Sequence, residues 1–590
     1  MSWLFAVTKS HQNLQNGLSR IHGAPLHCVS LPGFYLAVGG IQETCFLESC
    51  GTSGWAVVGT GIKSGNGAAS IMMMDDWRRV LSRQSFDPQS LDGHFVVLRW
   101  NGDCIECFTD QLGLRTLYFG KGAGGQCIST RLDWVARAIG QGGIDFASLG
   151  SGWLMLNQLS YASYVLGIDR LGPGGYASFR GGSLIRSSNA PWLPSFQPGD
   201  ARDAVESLNA LLECAVERRR TISLGLSSGL DSRLLLACLM SAHKGRFVTH
   251  TFGEPTDPDV RIATKIAQTL GLEHQYYNEP LPDTDTCISA MRSFVAQSTL
   301  VEPGSSFLRL RYFPKIREQC GLMIDGGFGE IARRQFLNRV VRRGRTALRS
   351  KHIPRLLTLM RSPRADMFSP EVTTKLESGA RESLAEALEA MPPLSNIGVE
   401  NFADLFSIRL RIPNYGGPGQ ARLDAEILNF MPLAQPSFLR SALRIPVKDR
   451  SNAKFHNEII SRLSPELKRF PSAKSGFTHR FGISTNSTWL LTKVKSSLMN
   501  GYCDAAPHGL LAHIREYVLD TAHSKYVTAN PIYDSQKVLD AVSKYYKGEL
   551  RLKDTVDWWL TFEIWRRSLQ TEGAHGEDTS LRQVAAGNFA

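Results

Sequence analysis

Short apolar runs, separated by glycine and polar turns, fill the chain from its start to about residue 180. Phe95–Trp100, Cys104–Phe108, Thr116–Phe119 and Tyr176–Phe179 read as strands, divided by Asn101-Gly102-Asp103 and Gly120-Lys121-Gly122. This pattern predicts an antiparallel, β-rich domain. Proline and polar residues then cluster from Ser187 to Asp200, which predicts a linker.

From Asp203 the period changes. A helix is expected over Ala204–Arg219, followed by a strand at Thr221–Leu226 and a helical pattern from Arg233 to Met240. A second strand, Phe247–Phe252, ends at Gly253. The next helix has Asp257 as its N-cap, Pro258 at its first position and Gly271 as its stop. A strand at His274–Tyr277, a helix near Cys287–Gln297 and a strand at Gly321–Asp325 follow. Alternating strands and helices predict a doubly wound parallel sheet, whose ligands bind at the carboxyl ends of the strands, near Ser227, Phe252 and Gly326. After Arg364 the pattern is mostly helical, and from Thr571 it is that of a disordered tail. The expected division is 1–190 for the α+β, antiparallel front domain and 191–202 for the linker. The α/β domain with its helical C-terminal part takes 203–570, and the tail 571–590.

Composition narrows the classes. At 590 residues the chain is too long for one core, and its 43% hydrophobic and 20% charged residues are ordinary for a globular protein. No apolar run approaches the roughly 18 residues of a membrane span. The N-terminus lacks the basic start and long apolar region of a signal peptide. Eleven cysteines without a regular framework fit free thiols in a cytoplasmic protein. Cys104-x-x-Cys107 lies inside a strand-like run with no second pair beside it, so a structural reading is preferred over zinc or redox chemistry. The net charge is +12, and Ile331–Pro363 holds ten Arg and Lys residues with no acid. That run reads either as a surface for nucleic acid, an acidic peptide or a partner, or as a solvated helical face. Only Phe336 interleaves with it, which weakens base stacking.

The segment Ser223-Leu-Gly-Leu-Ser-Ser-Gly-Leu-Asp-Ser232 carries the chemistry. Small residues at a strand-to-helix turn let backbone N–H groups and hydroxyls surround a phosphate, aided by the positive end of the helix dipole. Asp231 stands where it can hold a Mg²⁺ that shields phosphates. The spacing differs from G-x-x-x-x-G-K-[ST] and resembles the PP-loop, S-G-G-x-D-S, of enzymes that cleave ATP between its α- and β-phosphates. Ser228 replaces the first glycine.

Over most of its length the chain resembles the asparagine synthetase superfamily. Asp92-Gly-His-Phe95, Thr109–Tyr118 and Gly167–Gly174 are similar to landmarks of its glutamine amidotransferase domain. Ser2 stands where that domain has its nucleophilic cysteine. The resemblance therefore implies a front domain that hydrolyses no glutamine and survives as a scaffold. Thr251–Asp259 is similar to the segment bordering the adenosine pocket, and Asp325-Gly-Gly-Phe-Gly-Glu330 aligns with S-G-E-G-x-D. Carried over residue by residue, the resemblance implies Asp231, Glu330 and Lys474 as catalytic residues, with Asp231 and Glu330 holding Mg²⁺. ATP would be held by Leu226, Ser227, Ser228, Gly229, Asp231, Ser232, Phe252, Asp325, Gly326 and Lys474. Gly327 occupies the place of a glutamate in asparagine synthetases and a tyrosine in β-lactam synthetases, and Met431–Pro436 departs from P-F-L-D. His456 and Glu302 are candidate bases for the amine, but a structural role is preferred for each.

These departures, with Ser2, D-G-G-F-G-E and T-F-G-x-P, make the chain most similar to lasso peptide cyclases. That resemblance implies adenylation of an Asp or Glu side chain in a leader-cleaved precursor peptide, then closure onto the peptide's N-terminal amine. It implies a leader peptidase and a leader-recognition protein as partners; no membrane is expected, and nucleic acid is disfavoured. The alternatives are an ammonia-dependent asparagine synthetase, a small-ring lactam synthetase, or an RNA-modifying PP-loop enzyme.

Overall fold

Alternation along the first strand explains the layering of the front half. In β1 (Trp3–Thr8) every residue is buried. Leu4 and Ala6 enter one apolar layer, while Trp3, Phe5 and Val7 enter another. The strand belongs to a computed structural model that describes residues 2–8, 21, 24–65, 68–83, 85–155, 157–218, 221–243, 245–474, 477–483, 491–492 and 505–570. The other front strands are β2 (His27–Leu31), β3 (Phe34–Gly39), β4 (Cys45–Cys50), β5 (Ser53–Gly65), β6 (Ala68–Ile71) and β7 (Asp92–Asn101). After them come β8 (Cys104–Thr109), β9 (Leu117–Gly122), β10 (Gly125–Ser129), β11 (Ile168–Leu171), β12 (Tyr176–Arg180) and β13 (Ser183–Ser188).

They form two antiparallel sheets, in the orders β11-β9-β10-β1-β3-β2 and β13-β12-β8-β7-β5-β4, with β6 on β5. Leu36 and Val38 of the first sheet meet Ala56, Val58, Val96 and Leu98 of the second. The far face of the second sheet, with Trp55, Val57, Phe95 and Val97, packs on Trp77 of the helix Met74–Leu81. The antiparallel front domain is as the sequence predicts. Cys104 and Cys107 lie three apart on β8, hence on opposite faces, with Cys107 buried between the sheets. Among the described residues there is no disulfide and no cluster of metal-ligating side chains.

Residues 189–200 have no regular structure and lead into α1 (Ala201–Arg218), which starts three residues before the expected Ala204. β14 (Ile222–Gly225), α2 (Leu230–Ala242), β15 (Phe247–Phe252), α3 (Pro258–Leu270) and β16 (His274–Tyr277) alternate as expected. Asp257 caps α3 by accepting from Asp259 N at 2.9 Å, and Gly271 ends it in the left-handed region, φ 63°. α4 covers Thr284–Ser298, longer than expected because Asp283 accepts from Thr286 N and starts it earlier. β17 (Leu322–Ile324) completes the predicted set, but the chain adds β18 (Asn429–Phe430) beyond it. All pairings in the order β16-β15-β14-β17-β18 are parallel.

The chain runs outward from β14 to β16 and returns on β14's other side with β17. This reversal opens a crevice beyond the carboxyl ends of the central strands. The later chain is mostly helical, including α5 (Gly417–Glu426) and α6 (Lys454–Leu463), as the sequence predicts. It also contains a hairpin, β19 (Ser472–Lys474) with β20 (Phe477–His479), which the pattern did not reveal. No helix among the described residues is long and apolar enough to cross a membrane. The tail 571–590 lies outside the described residues.

Candidate functional site

The turn after β14 is built from hydroxyls that bond back onto it. Ser227 N and Ser227 Oγ lie 3.2 and 3.0 Å from Ser232 Oγ, and Gly229 N donates to Ser227 Oγ at 3.0 Å. Ser228 N donates to Asp259 Oδ1 at 2.6 Å, and Thr251 Oγ1 donates to the Leu226 carbonyl at 2.6 Å. These bonds hold the turn open in front of the N-terminus of α2, whose first turn carries Asp231.

Asp231 is the centre of a charged cluster. Arg333 Nη2 donates to its Oδ2 at 2.5 Å, and His456 Nε2 stands 3.2 Å from its Oδ1. Oδ1 itself is buried without a hydrogen-bond partner. Burial works to raise the Asp231 pKa, but Arg333 and then His456 outweigh it and hold the carboxylate below its ordinary value. His456 is fully buried on α6, and that burial holds its own pKa below the usual value despite the nearby carboxylate. His456 thus packs against the Asp231 carboxylate from within the core.

The 325–330 turn packs directly on that carboxylate. A Cβ at Gly329 would lie 2.2 Å from Asp231 Oδ1, and one at Gly326 would lie 2.9 Å from Asp231 Cβ, so only glycine permits this approach. Between them Phe328 takes a left-handed φ of 65°, a strained conformation for an aromatic residue. Glu330 follows, with Oε1 3.6 Å from Arg411 Nε. Gly327 is crowded by side chains: a Cβ there would stand 2.7 Å from the Met431 sulfur and 2.9 Å from Asp325 Oδ1, so those two would have to shift. The two departures at 327 and 431 thus fill one space.

Lys474 arrives from the hairpin. Its residue is exposed, yet partial loss of water around its ammonium, reinforced by the like charge of Arg333, holds its pKa below the usual lysine value. Beside the turn lies a cavity of about 340 Å³, lined in part by Leu226, Ser227, Phe252, Asp259 and Asp325. Phe252 stacks on Tyr312 at 5.8 Å and on His250 at 6.1 Å. Burial raises the pKa of Asp325, whose Oδ1 accepts from Gly327 N at 2.7 Å. Across the cavity Glu302 pairs with Arg422 and Arg309. Burial works to raise its pKa, but those arginines outweigh it and keep the carboxylate ionised.

The expected residues Leu226, Ser227, Phe252 and Asp325 therefore share the cavity wall, and Gly229, Asp231, Ser232, Gly326 and Glu330 form the adjoining turns. Sequence reasoning missed Arg333 as part of the site, because it was counted in the basic run. That run is not one solvated face: Arg334 is buried against Asp404, Arg345 pairs with Glu400, and Arg361 with Glu377. Exposed arginines such as Arg339, Arg342 and Arg343 remain at its surface.

In the front half, Ser2 is fully buried. Its Oγ lies 2.6 Å from Thr44 Oγ1, accepts from Ile41 N at 3.1 Å, and donates to the Asp424 carbonyl at 3.2 Å. The Asp424 carboxylate, on α5, is ion-paired with Arg115 and stands 3.1 Å from His94 Nε2. The back half thus covers Ser2.

Neither the family models nor the curated proteins compared with this chain match it. Among solved structures, the allosteric regulatory enzyme of purine biosynthesis is 12% identical, with a TM-score of 0.20, covering 56% of this chain and 70% of that one. Glutamine phosphoribosylpyrophosphate amidotransferase from B. subtilis, complexed with ADP and GMP, is 10% identical, with a TM-score of 0.19, covering 56% of this chain and 71% of that one. At such TM-scores neither likeness carries an argument about this chain.

Proposed function

We propose that the chain is an ATP-dependent carbon–nitrogen ligase of the asparagine synthetase superfamily, acting as a lasso peptide cyclase. It adenylates an Asp or Glu side chain of a leader-cleaved peptide and joins it to the peptide's own N-terminal amine, releasing AMP and pyrophosphate. The observation that carries the reading is the meeting of the Ser227–Ser232 and Asp325–Glu330 turns at Asp231, with Lys474 on the hairpin that Ser228 bonds, beside a cavity at the carboxyl ends of parallel strands.

A carboxylate resists attack by an amine until one of its oxygens becomes a good leaving group, and transfer of AMP achieves that. Phe252 and Leu226 offer apolar wall for the nucleoside. Ser227, Gly229 and Ser232 exchange their internal hydrogen bonds for bonds to the phosphates. Lys474 and Arg333 offset charge as pyrophosphate departs, a stabilisation worth roughly 3–4 kcal/mol per well-placed donor. Asp231, whose buried Oδ1 makes no hydrogen bond, and Glu330 on the adjoining turn are the residues that would hold a divalent cation. Bound Mg²⁺ would screen the negative charge of the phosphates there.

The amine must lose a proton to attack. Glu302 is a poor acceptor because two arginines stabilise its anion, whereas Asp325 faces the same cavity with raised proton affinity. We assign that proton to Asp325. The absence of a glutamate at Gly327, where the Met431 side chain crowds the position, counts against an asparagine synthetase. The covered Ser2 supports a front domain without glutamine chemistry. The direct test is the product set: a cyclised peptide formed with AMP and pyrophosphate, and unaffected by glutamine.

A further inference from the structure

Ser228, which stands where the PP-loop has a glycine, reaches across to the hairpin that carries Lys474. Its Oγ accepts a hydrogen bond from Ala473 N at 2.8 Å, and its own side of the turn is fixed through Ser228 N on Asp259. Ser228 is almost fully buried, so this bond is shielded from competing water.

A second tie comes from the same loop–helix unit. Arg233, in the first turn of α2, is fully buried. Its guanidinium donates to the carbonyl of Phe470 at 2.8 Å, to that of Leu467 at 3.4 Å and to that of Pro471. The guanidinium also lies over the Phe481 ring, 5.9 Å from its centroid, just beyond β20. Burying a cation is costly, and although the Asp259 charge acts on it, both terminal nitrogens of this guanidinium are directed to one short segment. Residues 467–474 are therefore pinned at both ends of their approach: Arg233 holds the entry and Ser228 holds the residue before Lys474.

We infer that Ser228 and Arg233 are positioning residues that hold Lys474 against the phosphate turn, so that this lysine moves with the loop it serves. A glycine at 228 supplies no such bond; the serine uses the loop itself as the hairpin's anchor. The role assigned to Lys474 rests on the adenylation reading, whereas the tether does not.

Three readouts separate the two. Hydrogen exchange of the Ala473 amide reports the tether alone. Acylation of Lys474 by an amine-reactive reagent, with and without inorganic pyrophosphate and Mg²⁺, reports its place at the phosphate turn. Pyrophosphate release during turnover reports catalysis. Ser228→Ala is expected to speed Ala473 exchange by roughly tenfold, the loss of one shielded hydrogen bond. It should abolish pyrophosphate protection of Lys474 and lower kcat with little change in the KM for ATP. Ser228→Thr, which keeps the hydroxyl, should restore all three. Arg233→Lys should raise exchange across 470–474 if it folds; Ser228→Ala, which only removes an oxygen, decides the matter if it does not. Unchanged Ala473 exchange in Ser228→Ala overturns the tether. A released tether with unchanged Lys474 protection and unchanged kcat overturns the positioning role. Wild-type protein that makes no pyrophosphate would instead overturn the adenylation reading, leaving exchange to judge the tether by itself.

Discussion

Arg333 holds one oxygen of Asp231 at 2.5 Å while the other oxygen of that carboxylate is buried without a hydrogen bond. The pair keeps Asp231 ionised without metal, and it makes Asp231 the residue whose charge the site is organised around. Asp231→Asn keeps the volume and removes the charge. We expect it to lower pyrophosphate formation by at least about a hundredfold, the scale of losing one charge-stabilising group. The variant should melt as a folded protein, which calorimetry checks.

Asp325 separates the two chemical steps. If it takes the amine's proton, Asp325→Asn should retain ATP–pyrophosphate exchange, since adenylation needs no base at the amine. Ring closure should fall by about 10²–10⁴-fold. Loss of both steps together would assign Asp325 to nucleotide binding instead.

His250 predicts an acid sensitivity. It is buried beside the cavity, with Nδ1 2.7 Å from Ser223 Oγ, and burial lowers its pKa to about 3. The unfolded chain takes up a proton near pH 6.5, whereas the folded protein does not until about pH 3. Stability is therefore untouched above pH 6.5 and falls as pH drops below it. Between pH 7 and 5 this histidine alone removes about 2 kcal/mol. Urea titrations at the two pH values should show the loss, and His250→Gln should reduce it by that amount. His456 and His274, also lowered by burial, add to the same direction.

Asp424 couples the halves. Its carboxylate engages Arg115 and His94 of the front sheets, while Gly419, Arg422 and Leu423 on the same helix line the cavity. Asp424→Ala leaves Arg115 buried without its partner and should cost about 3–5 kcal/mol. Thermal melting reads that loss, and ATP binding should weaken with it. Ser2→Ala should cost only about 1 kcal/mol and leave turnover unchanged, with or without glutamine. Glutamate released in a Ser2-dependent way would overturn the scaffold reading.

Local signals in the sequence reported what local physics decides. Asp257, Pro258 and Gly271 mark α3 because capping and left-handed φ are properties of single positions. The run Ser223–Ser232 marks the turn for the same reason. What stayed hidden depends on distant pairing. β18 is only two residues long, so no period shows in it, and the hairpin at 472–479 is fixed by Ser228 and Arg233 from far upstream. Arg333 read as one of many surface arginines because its partner lies 102 residues away. Gly327 reads in the sequence as a missing catalytic residue, and the Met431 sulfur and Asp325 Oδ1 that crowd it come from distant or folded-back chain.

The most direct test gives the purified chain ATP, Mg²⁺ and a peptide with a free N-terminal amine and an internal Asp or Glu, then measures nucleotides and peptide mass together. The account predicts one AMP and one pyrophosphate for each peptide that loses one water, and neither product from Asp231→Asn. Formation of ADP and phosphate instead, or equal cyclisation by Asp231→Asn, would contradict it.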